Sequence, residues 1–244
     1  MRRGYDKTGQ VATMKRALLT ILTVLAGVVV VAGSVFALGK QQSEPATIAA
    51  VVSGTAPTPL GDLPHATLEL SIYPQEGPGN PAPDPGLVPQ SASSTWPFYS
   101  PSTSIQLPAN SVVTITVHQY DSASTVYNPY LAQVHGTLDG TATFAGEAKT
   151  GIDPKAVAHT FTIHQYSESS QPTLYVSVPM LAVANNAPNE ANGYPKPIDV
   201  TFTFVTGAPG EYVWNCEDPC GSGYVAFGGP MSQRGFMSGT VTVV

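Results

Sequence analysis

The chain has 244 residues, enough for one large β domain or one to two average domains. Charged residues make up only 11% of it, where about 25% is usual. Beyond residue 40 the only basic residues are Lys149, Lys155, Lys196 and Arg234, against fifteen acidic ones, a formal charge of −11. Such a surface repels phosphate backbones and excludes nucleic acid as a partner.

Residues 17–39 carry no charge, and Lys15, Arg16, Lys7, Arg3 and Arg2 precede them. A run of that length spans a ~30 Å hydrocarbon layer with some tilt. Positive flanks stay on the cytoplasmic side, so the sequence predicts a cytoplasmic tail over 1–16, a transmembrane anchor over 17–39, and everything after it outside the cytoplasm. A cleaved signal peptide ending near Ala37-Leu38-Gly39 is the alternative, and the length of the run favours the anchor. Residues 40–64 are small, polar and Pro-containing and predict a linker.

The domain is expected over 65–244. His65 to Pro74 alternates as a first strand, and a Pro-rich loop follows over 74–101. Strand patterns then recur at Ser104–Leu107, Val112–Tyr120, Thr137–Ala145, Ala158–Tyr166, Thr173–Val178, Ile198–Val205, Gly210–Cys216 and Met237–Val244. Short strands separated by turns predict an all-β, antiparallel Greek-key β-sandwich. Met180–Asn186 is the one stretch outside the membrane run with a trace of helical pattern. Thr116–Tyr120 and Thr162–Tyr166 echo each other as T-x-H-Q-Y, which suggests neighbouring strands with matched side chains.

Two cysteines, Cys216 and Cys220, stand four apart in Cys-Glu-Asp-Pro-Cys-Gly. Outside the cytoplasm they form either a disulfide or a metal site. A strand delivers Cys216 at its end, a loop follows, and Met237 opens the closing strand. Earlier stands His159, followed by Thr160 and Phe161. This arrangement resembles the cupredoxin family over roughly residues 100–244. The resemblance implies a copper protein that transfers single electrons, with His159, Cys216 and Met237 as ligands. The C-x-x-x-C-G element also resembles the copper loop of cytochrome oxidase subunit II, which adds Cys220. Both families place a histidine on this loop. Here no histidine follows His164, and Tyr224 stands near that place. Twenty residues separate Cys216 from Met237, and Met231 among them is a second thioether candidate. A two-copper centre needs more nitrogen ligands than the loop has, so that reading is rejected.

His159 and His164 are five apart and fall on opposite faces of one strand. His118 and His164 read as satisfied strand residues, His135 as a solvated loop residue, and His65 as unpartnered. Trp214, Tyr224, Phe227 and Phe236 would shield the site. The acidic residues read as solubility charges. No nucleophile elbow, H-E-x-x-H or phosphate loop occurs, so no enzyme is expected. Two functions follow: a membrane-anchored extracytoplasmic copper protein with a redox protein as partner, or a metal-free interaction module with a Cys216–Cys220 disulfide.

Overall fold

Burial that alternates along the chain makes the strands. The computed structural model describes residues 18–34, 45–59, 61–75, 96–124, 126–166, 173–221 and 228–244. Its strands are β1 (Ile48–Ala49), β2 (Val51–Thr58), β3 (Gly61–Tyr73), β4 (Phe98–Ser100), β5 (Ser104–Leu107), β6 (Val112–Gln119), β7 (Ala142–Phe144), β8 (Glu147–Lys149), β9 (Val157–Gln165), β10 (Val176–Leu181), β11 (Ile198–Val205), β12 (Gly210–Asn215) and β13 (Ser238–Val243). One sheet runs β1-β5-β13-β12-β9-β10, and the other runs β2-β3-β6-β11-β7-β8 with β4 on β3.

The inner faces of the two sheets meet in one core. Val113, Ile115, Val117, Phe202 and Phe204 come from one sheet; Phe161, Ile163, Trp214 and Val241 come from the other. Phe161 and Phe202 touch across the gap, ring centroids 5.7 Å apart. Each such side chain contributes ~1.5–3 kcal/mol by leaving water. On the opposite face of β6 and β11, Thr114 bonds Thr203 at 2.9 Å and Thr116 bonds Thr201 at 3.0 Å. Such cross-strand pairs fix the register of a half-buried sheet.

The sandwich agrees with the expected fold, with five corrections. The sheets are mixed rather than purely antiparallel, since β3 with β6, β1 with β5 and β5 with β13 run parallel. The expected linker contains strands: β1 and β2 pair with β5 and β3, and residues from Glu44 onward form one compact unit. Small and Pro-containing segments at sheet edges hide their strand character, because an edge tolerates Pro and has only one ladder to satisfy. Part of the Pro-rich loop is also strand, β4, beside the fully buried Trp96; residues 76–95 lie outside the described residues. The echoing segments are not neighbours, because β6 lies in one sheet and β9 in the other. Met180 belongs to β10 rather than to a helix.

Residues 18–34 are helical, with exposed apolar side chains. At ~1.5 Å per residue this described stretch covers roughly 26 Å, short of a ~30 Å hydrocarbon layer. Residues 17 and 35–39 of the expected anchor lie outside the described residues, and among the described residues no helix is long and apolar enough to cross a membrane.

Gly239 marks the tightest approach in the sandwich. A Cβ there would meet the Thr103 carbonyl oxygen at 1.8 Å, while Trp214, its partner across the ladder, donates its indole N–H to that same oxygen at 2.8 Å. Gly239→Ala is expected to lower stability by ~1–3 kcal/mol, the usual range for overpacking, read as a lower urea midpoint. An unchanged midpoint would mean that β5 and β13 can separate without loss.

Candidate metal centre

Three strands carry the centre. β12 ends at Asn215 and hands the chain to Cys216, whose N–H donates to the Met237 carbonyl at 2.9 Å. Asn215 pairs with Ser238 on β13 and with Thr162 on β9. These ladders place Cys216, Met237 and the start of β9 at one pole. Trp214 anchors the end of β12: it stacks on Phe161 at 4.9 Å and meets Tyr99 edge-on at 4.6 Å.

His159, Cys216 and Cys220 are all buried. The Nδ1 of His159 lies 3.9 Å from Cys216 Sγ, and Cys220 Sγ lies 3.8 Å from Cys216 Sγ. One nitrogen of His159 and both sulfurs fall within 4.8 Å of one another. Donors bonded to one ion at the ~2.0–2.3 Å of metal–nitrogen and metal–sulfur bonds lie roughly 3.3–4.0 Å apart. The two spacings to Cys216 Sγ fit that range and the third lies within 4.8 Å, so the three residues are grouped as ligands of one ion would be. Both cysteines are free; the disulfide would need their sulfurs at ~2.05 Å. Two sulfurs with one imidazole form a soft set suited to copper.

Of the two methionines, Met237 is fully buried beside Cys216. Met231 is half-buried, on the 3-10 turn Gly229–Ser232, and packs against the core. Its neighbour Pro230 accepts the Met237 N–H through its carbonyl at 3.1 Å, so both thioethers belong to the same loop.

The remaining histidines serve the sheets. His164 faces away from His159, bonding Asn215 Oδ1 at 2.9 Å. His118 pairs with Asp199 at 2.7 Å. His135 stacks on Tyr130 with centroids 4.3 Å apart. His65, expected to be unpartnered, bonds the Thr114 hydroxyl at 2.9 Å. Of the expected shielding aromatics, Trp214 lies in the main core and Phe236 packs on Trp96 at 5.2 Å; Tyr224 and Phe227 lie outside the described residues.

Two acidic residues at the centre are not the solubility charges the sequence suggests. Asp121 Oδ2 lies 2.9 Å from His159 Nε2, on the side of the ring away from the sulfurs, and its Oδ1 accepts the Ser122 N–H at 2.7 Å. Asp121 also borders a cavity of about 370 Å³ with Tyr120, Asn185 and Tyr194. Asp218 lies between the cysteines and is 1% exposed. Neither residue shows a spacing signal: Asp121 is 38 positions from His159, and Asp218 reads as a loop charge.

The buried charges shift one another. Burial opposes protonation of His159, but the Asp121 carboxylate and Cys216 outweigh it and raise its pKa to about 10. Burial raises the Cys216 thiol, yet Cys220, His159 and the Thr160 N–H outweigh it and hold Cys216 well below its usual value. Cys220 moves up, because its proton is shared toward Cys216 and because it is buried. The pair therefore releases its first proton from Cys216. Protonated, Cys216 donates to the Asp218 carbonyl at 3.0 Å; as thiolate it accepts from the Thr160 N–H at 3.4 Å.

No family model and no curated protein matches the chain. Among solved structures it is similar to auracyanin B, with 15% identity and a TM-score of 0.34, over 79% of this chain and 98% of that one. It is also similar to rusticyanin from Thiobacillus ferrooxidans, with 13% identity and a TM-score of 0.31, over 85% of this chain and 92% of that one. These likenesses are distant, and the metal reading stands on the donor atoms themselves.

In the metal-free protein, stability gained from protonated His159 is fully present below the unfolded pKa of ~6.5 and is lost as pH rises through about 10. The His159 ring protons are expected to show no NMR inflection between about pH 5 and 8. In Asp121→Asn the inflection should move down toward that window. A wild-type inflection near ~6.5 would contradict the ion-pair description.

Proposed function

We propose that this chain is a cupredoxin-like copper protein, anchored in the membrane through residues 17–39, that passes single electrons outside the cytoplasm. The observation that carries the reading is the buried cluster of His159, Cys216 and Cys220, with donor spacings of 3.8 and 3.9 Å. Copper at this position would supply a one-electron couple. The protein's part is to hold two sulfurs and one imidazole fixed while the charge changes, so that little reorganises on transfer. Met237 would be the weak thioether ligand, with Met231 as its alternative. The partner is a redox protein, and the domain's acidic surface suits a basic docking face.

The anchor is supported by the charge asymmetry around residues 17–39. It is supported also by Thr23 and Ser34, whose hydroxyls donate to the carbonyls of Leu19 and Val30 at 2.9 and 2.8 Å, as lipid requires. Protease added outside intact cells is expected to digest the domain and leave the N-terminus protected. A protected domain would place the site in the cytoplasm instead.

The reduced protein is expected to take up one copper per chain. Cys216→Ser should abolish strong thiolate-to-copper absorption in the visible range. Met237→Leu should retain copper but shift its potential, while Met231→Leu changes little. If the two methionine variants exchange these results, Met231 would be the thioether ligand. A reduced wild-type protein that binds no copper removes the electron-transfer reading.

A further inference from the structure

The loop between the cysteines contains a group that the three soft donors do not explain. Both carboxylate oxygens of Asp218 are buried and have no hydrogen-bond partner. An unpaired polar group in a protein interior is costly, and an ionised one far more so.

The residue is also placed by its neighbours. Its backbone carbonyl oxygen lies 3.0 Å from Cys216 Sγ, and its charge is felt by Cys220 as well. A carboxylate buried beside two sulfurs without a hydrogen-bond partner is a cost, and near a thiolate it is a second negative charge that His159 offsets only in part. A cation would remove both penalties together. The centre, in turn, is short of a donor. The loop has no histidine, so one imidazole and two sulfurs leave a fourth position to the weak thioether or to another group. The Asp218 carboxylate stands outside the cluster of three donors, so taking part in it would require the side chain to turn.

We infer that the Asp218 carboxylate closes on the metal ion as an oxygen donor, in the place that the missing loop histidine leaves open. The inference rests on the copper reading above. It makes the centre a mixed site, with a nitrogen from β9, two sulfurs and one carboxylate oxygen from the Cys216–Cys220 segment, beside the weak thioether proposed above.

Asp218→Asn and Asp218→Ala test it, each compared with wild type in metal-free and copper-loaded form. The metal-free variants are expected to melt above wild type, because an uncompensated buried carboxylate has been removed. They should bind copper about 10–100-fold more weakly, the range seen when a supporting group at a metal site is lost, and their Cu(II) paramagnetic resonance hyperfine splitting should change. In wild type carrying isotope-labelled aspartate, copper binding should move one carboxylate infrared band. Variants that match wild type in copper affinity and hyperfine splitting, or metal-free variants that melt below it, overturn the Asp218 assignment and leave copper binding intact. A wild type that binds no copper overturns both.

Discussion

The pairing of β12 with β13 on one side and β9 on the other is the constraint on which the site depends. Cys216 follows β12 directly, and its N–H is held by the Met237 carbonyl. The buried first residues of β9 then bring His159 to within 3.9 Å of Cys216 Sγ. The Thr160 hydroxyl also accepts the Glu217 N–H at 2.8 Å, tying the loop after Cys216 to the same strand. Slipping β9 by one residue would turn His159 away from the sulfurs and bring Thr160 toward them. The aromatic packing of Trp214, Phe161 and Tyr99 therefore secures the geometry of the centre as well as the core.

This centre concentrates ionisable groups in a region that excludes water. His159 is 2% exposed and Cys216 0%. Such groups persist only if they neutralise one another, and His159 with Asp121 and Cys216 does so in part. With a metal ion held here the balance would be complete: the sulfurs would give up their protons, and His159 would hold the ion through the nitrogen that faces Cys216 while the other stays bonded to Asp121. A carboxylate behind a ligand histidine fixes the ring's orientation and strengthens it as a donor.

Much of this was legible in the sequence. The period-2 patterns of Val112–Gln119, Ile198–Val205 and Gly210–Asn215 mark their strands, because each buries one face. The five-residue spacing separates His159 from His164, since side chains alternate along a strand. The position of Cys216 at a strand end and of Met237 before the last strand points to a loop site. Other parts were not legible. β1 and β2 are small-residue edge strands whose burial pattern is mostly exposed, so no hydrophobic period announces them. The parallel pairing of β3 with β6 arises from a connection that passes through the Pro-rich segment, and local pattern says nothing of pairing partners. Asp121 and Asp218 reach the centre through tertiary folding, and a lone aspartate after a strand or inside a loop looks the same in sequence whether it faces solvent or a buried imidazole.

The central claim is that His159, Cys216 and Cys220 share one copper ion. X-ray absorption at the copper edge of the loaded protein measures this most directly. The account predicts two sulfur scatterers and at least one imidazole nitrogen in the first shell, with bonds near ~2.0–2.3 Å by analogy with zinc sites. A first shell of nitrogen and oxygen alone would contradict it, because copper would then sit away from the cysteines.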